Sequence, residues 1–471
     1  MTRCWCRTLP IVLLTVLASG CAAAGKNYTR PQLPTPVMYR FADLVQAQSL
    51  ADAPWWGVFT DPTLQALVQD AIANNLDLQV AVARVEQARA TAGIAKSFLY
   101  PQVDGSATYG VQQNITKTDD DVEHGGTYGF QLAWEIDIFG RLRREKEAAF
   151  SRLLATEQGR RGVLVTLVGD VTSTYFLLRQ FDWQLAIARQ TLVVNDQTVA
   201  YFQARLDGGV SNRLEVDRIR ANREVTAASI PELERQIAVA ENALSLLLGR
   251  VPGHIERDTV DDRGFPTSVS PVLPPLPPPI PPGVPATLLG RRPDVLGAEQ
   301  LLVAANADVG AAKARFFPTI SLSAFGGGIS GDLANLLGGA GGAWTVAPSL
   351  LQPVYNAGRL RSNLELERAR MAEALADYQK SALNAYREVA YALVAIAKLA
   401  QTRTHQETGV VALQDAADLA RDRYESGLAS YIEILTADQE LFNRQLLLAE
   451  TRGAEFRARS ELYRALGGGW Q

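Results

Sequence analysis

From Tyr128 to Ile138 the chain alternates without a break. Tyr128, Phe130, Leu132, Trp134, Ile136 and Ile138 are apolar, while Gly129, Gln131, Ala133, Glu135 and Asp137 between them are small or polar. A repeat of two describes a β-strand with one apolar and one wet face. Weaker alternation at 103–109, 320–324 and 344–354 adds three more strands, giving predicted spans of about 101–113, 126–139, 316–329 and 343–356. About ten residues is what a tilted strand needs to cross a bilayer, and aromatic side chains such as Tyr128, Trp134 and Trp344 favour its interface. The tips at 114–126 and 326–342 are polar or glycine-rich.

Beyond each strand pair the period changes. Residues 141–207 and 359–426 contain no proline and are rich in Ala, Leu, Arg, Glu and Gln. Each predicts one helix about 100 Å long at 1.5 Å per residue, which exceeds the globular range and indicates a coiled coil or helical barrel. Gly208-Gly209-Val210-Ser211 and Gly427-Leu428-Ala429-Ser430 then turn the chain into helices at 211–249 and 430–467, whose final glycines suit C-caps. Pro231 is expected to kink the first of these. Shorter helices are expected at 61–98 and 293–316.

These elements occur twice. Gly93-Ile94-Ala95-Lys96, Tyr100-Pro101, Ser106-Ala107 and Gly110 recur 217 residues later as Gly310-Ala311-Ala312-Lys313, Phe317-Pro318, Ser323-Ala324 and Gly327. Gly140-Arg141-Leu142-Arg143 recurs 218 residues on as Gly358-Arg359-Leu360-Arg361, and Arg205, Gly209, Glu215 and Gly249 recur as Arg423, Gly427, Glu433 and Gly467. Two copies of one unit are therefore expected at 61–250 and 286–471. They are joined at 251–285, where ten of the chain's 23 prolines fall at 266–285 and force an extended connector.

Residues 1–20 have the form of a secretory signal: Arg3 and Arg7, an apolar run, then Ala18-Ser19-Gly20 ahead of Cys21. That ending resembles the lipobox of bacterial lipoproteins and makes Cys21 the expected acylated residue, with plain cleavage near Ala24 as the other reading. Residues 21–60 would be the anchored segment. Cys4 and Cys6 lie in the signal, so the mature chain keeps one Cys and no internal disulfide.

A net charge of −4 gives no electrostatic hold on nucleic acid, and three His with three Cys leave little for a metal site or a Cys/His nucleophile. His124, His254 and His405 are far apart in sequence. No Gly-Lys-Ser/Thr follows Gly326-Gly327-Gly328, so no phosphate loop is present and no cofactor is expected. Glu135 and Asp137 share one strand face and are predicted to line a pore rather than to act as an acid/base pair. Four strands cannot close a barrel, and open sheet edges are not tolerated in hydrocarbon. An oligomer is therefore required, and three subunits supply twelve strands.

Several motifs together resemble the outer-membrane factor family, the TolC- and OprM-like exit ducts, and within it the lipidated NodT-type branch. They are Tyr28-Thr29-Arg30-Pro31, Trp55-Trp56 with Phe59 and Asp61-Pro62, Asn74-Asn75-Leu76-Asp77-Leu78 and Tyr100-Pro101 in the first half. The second half carries Arg291-Arg292-Pro293-Asp294-Val295, Phe316-Phe317-Pro318 and Gln352-Pro353-Val354-Tyr355-Asn356-Ala357-Gly358-Arg359. The resemblance implies a trimer with a twelve-stranded outer-membrane β-barrel continued by a periplasmic α-helical barrel. It also implies a passive duct for drugs, solvents and dyes, served by a periplasmic adaptor and an inner-membrane pump of the RND or MFS type. In the family the periplasmic helix tips close the tunnel, and Ile432 aligns with an apolar constriction there.

Around that position lie Arg421, Arg423, Glu425, Glu433 and Asp438, with Arg205, Glu215, Asp217 and Arg218 on the other hairpin. Glu425 and Thr436 stand where the OprM type carries Arg and Asp, so the expected latch shifts to Arg423 or Arg421 with Asp438 or Glu433. The competing reading is a lipid-anchored periplasmic coiled-coil adaptor, which requires a β-domain set within a single helical hairpin.

Overall fold

The computed structural model describes residues 23–36, 38–39, 59, 61–113, 122–257, 285–331 and 341–467. Cys21, Trp55-Trp56 and most of the proline-rich connector lie outside them. In order, the elements are α1 (Pro62–Asn74), α2 (Leu76–Ser97), β1 (Gln102–Gln113), β2 (Val122–Ile136), α3 (Arg141–Asp207), α4 (Arg213–Leu247), α5 (Pro285–Leu288), α6 (Pro293–Ala314), β3 (Thr319–Ser330), β4 (Gly342–Leu351), α7 (Arg359–Glu425) and α8 (Tyr431–Leu466). The chain forms two compact units, residues 1–33, 83–158 and 297–380 in the first and 34–82, 159–296 and 381–471 in the second.

In the first unit β1, β2, β3 and β4 form one antiparallel sheet in chain order. Phe130 sits opposite Gly105 on β1 and Gly326 on β3, and its ring lies over Gly105, which has no side chain of its own. β1 and β4 are the two edges. β2 begins at Val122, earlier than its apolar alternation, and β4 stops at Leu351 just before Pro353, which has no N–H to give a ladder. The span expected as one helix over 61–98 is two, because Asn75 takes an extended conformation and its Oδ1 accepts from Leu78 N to cap α2. α4 continues through Pro231, whose missing N–H lies within a 35-residue helix. One 18-residue stretch of α3 is apolar enough to span a bilayer, but half of it is buried against the rest of the protein, as a core helix requires.

A strap, residues 23–31, lies across both copies of the repeat in the first unit. Ala24 N donates to Phe139 O, Asn306 Nδ2 to Lys26 O, and buried Arg144 to Ala24 O and Asn27 Oδ1. Tyr28 and Arg30 both reach Glu299. Contact this close needs glycine on both sides: a Cβ on Gly140, whose φ is +78°, would stand 2.6 Å from Ala23, and one on Gly310 would stand 2.8 Å from Ala24 O.

The second unit is centred on helix packing around Tyr175, Phe176, Phe456 and Tyr463, with Phe176 stacked on Phe456, Phe59 tilted against Phe176 and Tyr175 donating to Asp61. The incoming connector is pinned by charge. Arg257 is fully buried and pairs with Asp182 at 2.8 Å and Glu241 at 2.6 Å, and His254, isolated in sequence, lies 2.8 Å from the same Glu241. This arrangement contains two long hairpins and a four-stranded sheet, so the single-hairpin architecture of the adaptor reading is not found.

Candidate functional site

The residues singled out as a gate fall at one end of the second unit, where α3 turns into α4 and α7 into α8. Both turns are built alike. Gly209 and Gly427 have φ of +75° and +74°, and the next residues, Val210 and Leu428, donate to Arg205 O and Arg423 O. This is a left-handed C-cap that only glycine adopts without strain. Asn212 then caps α4 through Glu215 N, while Ser430 at the equivalent position makes no side-chain cap. A buried cluster of Phe202, Val216, Ile219, Ala420, Tyr431 and Ile434 joins the four helix ends.

Of the expected latch pairings, one forms. Arg421 Nη2 donates to Asp438 Oδ1 at 2.6 Å and Nη1 to Asp418 at 2.8 Å, tying α7 to α8. Burial pushes the Asp438 carboxyl above its ordinary value, with Arg421 pulling the other way. The other expected partners do not join it. Arg423 reaches only Leu428 O, at 3.5 Å, and no ion pair of Arg423 or Glu433 occurs among the described residues. Asp217 pairs along its own helix with Arg213 and Arg220, on an exposed face. Among the described residues Arg205 bonds to no carboxylate: its Nη1 donates to Tyr201, and its guanidinium lies 5.6 Å from the Tyr201 ring and 5.4 Å from that of Tyr424. Ile432 is half exposed in an apolar groove between α4 and α8, beside Val225 and Leu435.

The two strand acids are also placed differently from expectation. Asp137 lies beyond the end of β2 and accepts from Leu142 N and Arg143 N, so it caps the start of α3. Glu135 is held by Arg141, at 2.6 Å, and Arg141 is shared with Glu145. Both acids are thus tied to the strand-to-helix junction. Among the described residues no group of three His, Cys, Asp or Glu side chains is arranged to hold a metal ion.

Sequence reasoning passed over the aromatics at the tip. Tyr201 and Phe202 precede the first turn, Tyr424 and Tyr431 flank the second, and their rings lie 4.3–6.2 Å from one another in mostly edge-on contacts. Four aromatic residues within eight positions of the two glycine turns was the available signal.

The sequence matches the family described as outer membrane efflux protein twice, over residues 67–250 and 284–468. The cation efflux system protein CusC of Escherichia coli O6:H1 is 34% identical, with 99% of each chain covered. The solvent efflux pump outer membrane protein SrpC of Pseudomonas putida is 34% identical, with 98% of each covered. Among solved structures, the outer-membrane channel OprN is 31% identical and superposes with a TM-score of 0.86, covering 95% of this chain and 100% of its own.

Proposed function

Since the chain belongs to the outer membrane efflux protein family, and is thereby an outer-membrane transport channel and not an enzyme, we propose that three copies form the exit duct of a tripartite pump, gated at the glycine-turn tips. The carrying observation is the sheet itself, whose β1 and β4 edges are both unpaired. Unpaired edges are not stable in hydrocarbon, and joining β4 of one copy to β1 of the next removes all of them once the ring closes. Twelve strands in a closed ring admit water at the centre, whereas four leave no lumen.

Arg421 with Asp438 holds the α7–α8 hairpin shut, and Arg205 on Tyr424 ties α3 to α7. Ile432 and its groove offer an apolar surface of the kind that takes an amphipathic partner helix, which suits a periplasmic adaptor. Arg423, Glu433 and Asp217 remain candidates for contacts made between copies. Cys21 carries the lipid that holds the chain at the outer membrane, and an inner-membrane pump of the RND or MFS type supplies the energy. With three His and three Met in the chain, the cargo is small organic compounds rather than metal ions.

The test is expression in a strain lacking its own exit duct. A heat-modifiable trimer in the outer-membrane fraction that restores resistance to dyes or solvents is expected. A soluble periplasmic monomer would overturn the reading.

A further inference from the structure

Beside the Arg421–Asp438 pair lies a cavity of about 340 Å³, within the size range of small-molecule sites, that the gate reading leaves unused. Its floor is formed by Phe202 and Tyr431, both buried, with rings 4.3 Å apart edge to face. Tyr201 and Tyr424 stand at its sides. Aromatic rings from α3, α7 and α8 therefore line one small volume. The faces of such rings carry the negative part of the aromatic quadrupole and attract cations.

The protein already uses that attraction, because the Arg205 guanidinium sits against both Tyr201 and Tyr424. It does so at a cost, since its buried Nε has no hydrogen-bond partner. At the mouth, the Arg421 charge is answered by Asp418 and Asp438. Glu425 also lines the cavity and has no ion pair or side-chain hydrogen bond among the described residues. Glu425 is therefore the unpaired negative group at the opening, as Arg205 is the unpaired positive group on the rings.

We propose that this aromatic box binds a small aromatic organic cation of the quaternary-ammonium class, its ring between Tyr201 and Tyr424 and its positive group toward Glu425. Such a ligand competes with Arg205 for the Tyr201 and Tyr424 rings and so weakens one contact between α3 and α7. The binding stands on the cavity alone, while this second consequence, a loosened tip, rests on the gate reading above.

The experiment titrates benzyltrimethylammonium into the full-length assembled protein in lipid nanodiscs by calorimetry, and separately records conductance in planar bilayers. Saturable binding is expected that benzyl alcohol does not displace. Tyr424→Ala and Glu425→Gln should each weaken it about tenfold, in line with a partly desolvated cation–π or charge contact. Arg205→Gln should tighten it, because the rings are freed. Glu425 is exposed, so its variant keeps the fold even if Tyr424→Ala does not. Absent saturable binding, or affinity unchanged in Glu425→Gln and in Arg205→Gln, overturns the site. Binding as expected with no change in conductance leaves the site standing and counts against the gate.

Discussion

At the scale of single residues the tip turns on one buried acid. Asp438 has its pKa raised from 3.8 chiefly because burial disfavours the carboxylate, with Arg421 opposing. The closed tip therefore holds that proton more tightly than a solvated aspartate does. Acidification toward the ordinary aspartate range then stabilises the closed tip over any state that exposes Asp438, and raising the pH withdraws that support. Arg421→Ala removes the opposing charge and leaves the acid buried without its partner, a loss of about 1–3 kcal/mol. The expected outcome is a leaky duct at pH 7, read as vancomycin sensitivity or bilayer conductance, whose leak shrinks on acidification as the acid protonates. Asp438→Asn keeps a hydrogen-bonding group without the charge and should stay closed at neutral and at acidic pH. If Arg421→Ala leaks no more than the wild type, the pair is not the latch. Glycine spacing and charge placed these residues near the turns, but which Arg meets which Asp depends on the packing of α7 on α8, and that left Arg421 and Arg423 equivalent in sequence.

At the scale of elements, the two copies carry equal glycines under unequal constraints. Gly310 in α6 lies beneath the strap, and a Cβ there meets Ala24 O and Arg144 within 3.0 Å. Gly93, its counterpart in α2, has nothing within 4 Å of such a Cβ. Gly310→Ala should therefore lower the melting temperature and expose the strap to protease. Gly93→Ala, by the helix propensity difference of about 1 kcal/mol, should keep the protein as stable or make it more so. Equal protease sensitivity in the two variants would count against the strap as a structural element. The helices and strands were legible because each is long and strictly periodic. The strap was not, since residues 23–31 have no period and their partners, Phe139, Glu299 and Asn306, are distant in sequence. Asp137 misled for a related reason: alternation continues past Ile136, while the backbone has already left the sheet to start α3.

At the scale of the whole molecule, the apolar side chains on the sheet decide where it can reside. Phe130 is 69% exposed in the single chain, an unfavourable position in water that membrane contact relieves. Phe130→Arg should cut the yield of assembled protein in the outer membrane, with a cost of about 2–4 kcal/mol near the bilayer midplane. Gln131→Arg, one residue on and therefore on the other face, should assemble at close to the wild-type level. Comparable losses in both would mean that β2 does not divide lipid from lumen. This much was readable from the sequence, because a period of two by itself sends neighbouring side chains to opposite faces. How many copies close the ring follows only from the count of strands and the intolerance of bare edges.

The strap also settles the order of the gene. Residues 23–31 fit over Gly140 and Gly310 with Arg144 beneath them. The alternative pair, Gly358 and Gly93, repeats the glycines but has Ser362 in the place of Arg144. A circular permutation that put the second copy first would deliver the leader to a seat without its guanidinium. The two halves, near twins in the sheet and in the helices, are for that reason no longer exchangeable in sequence order.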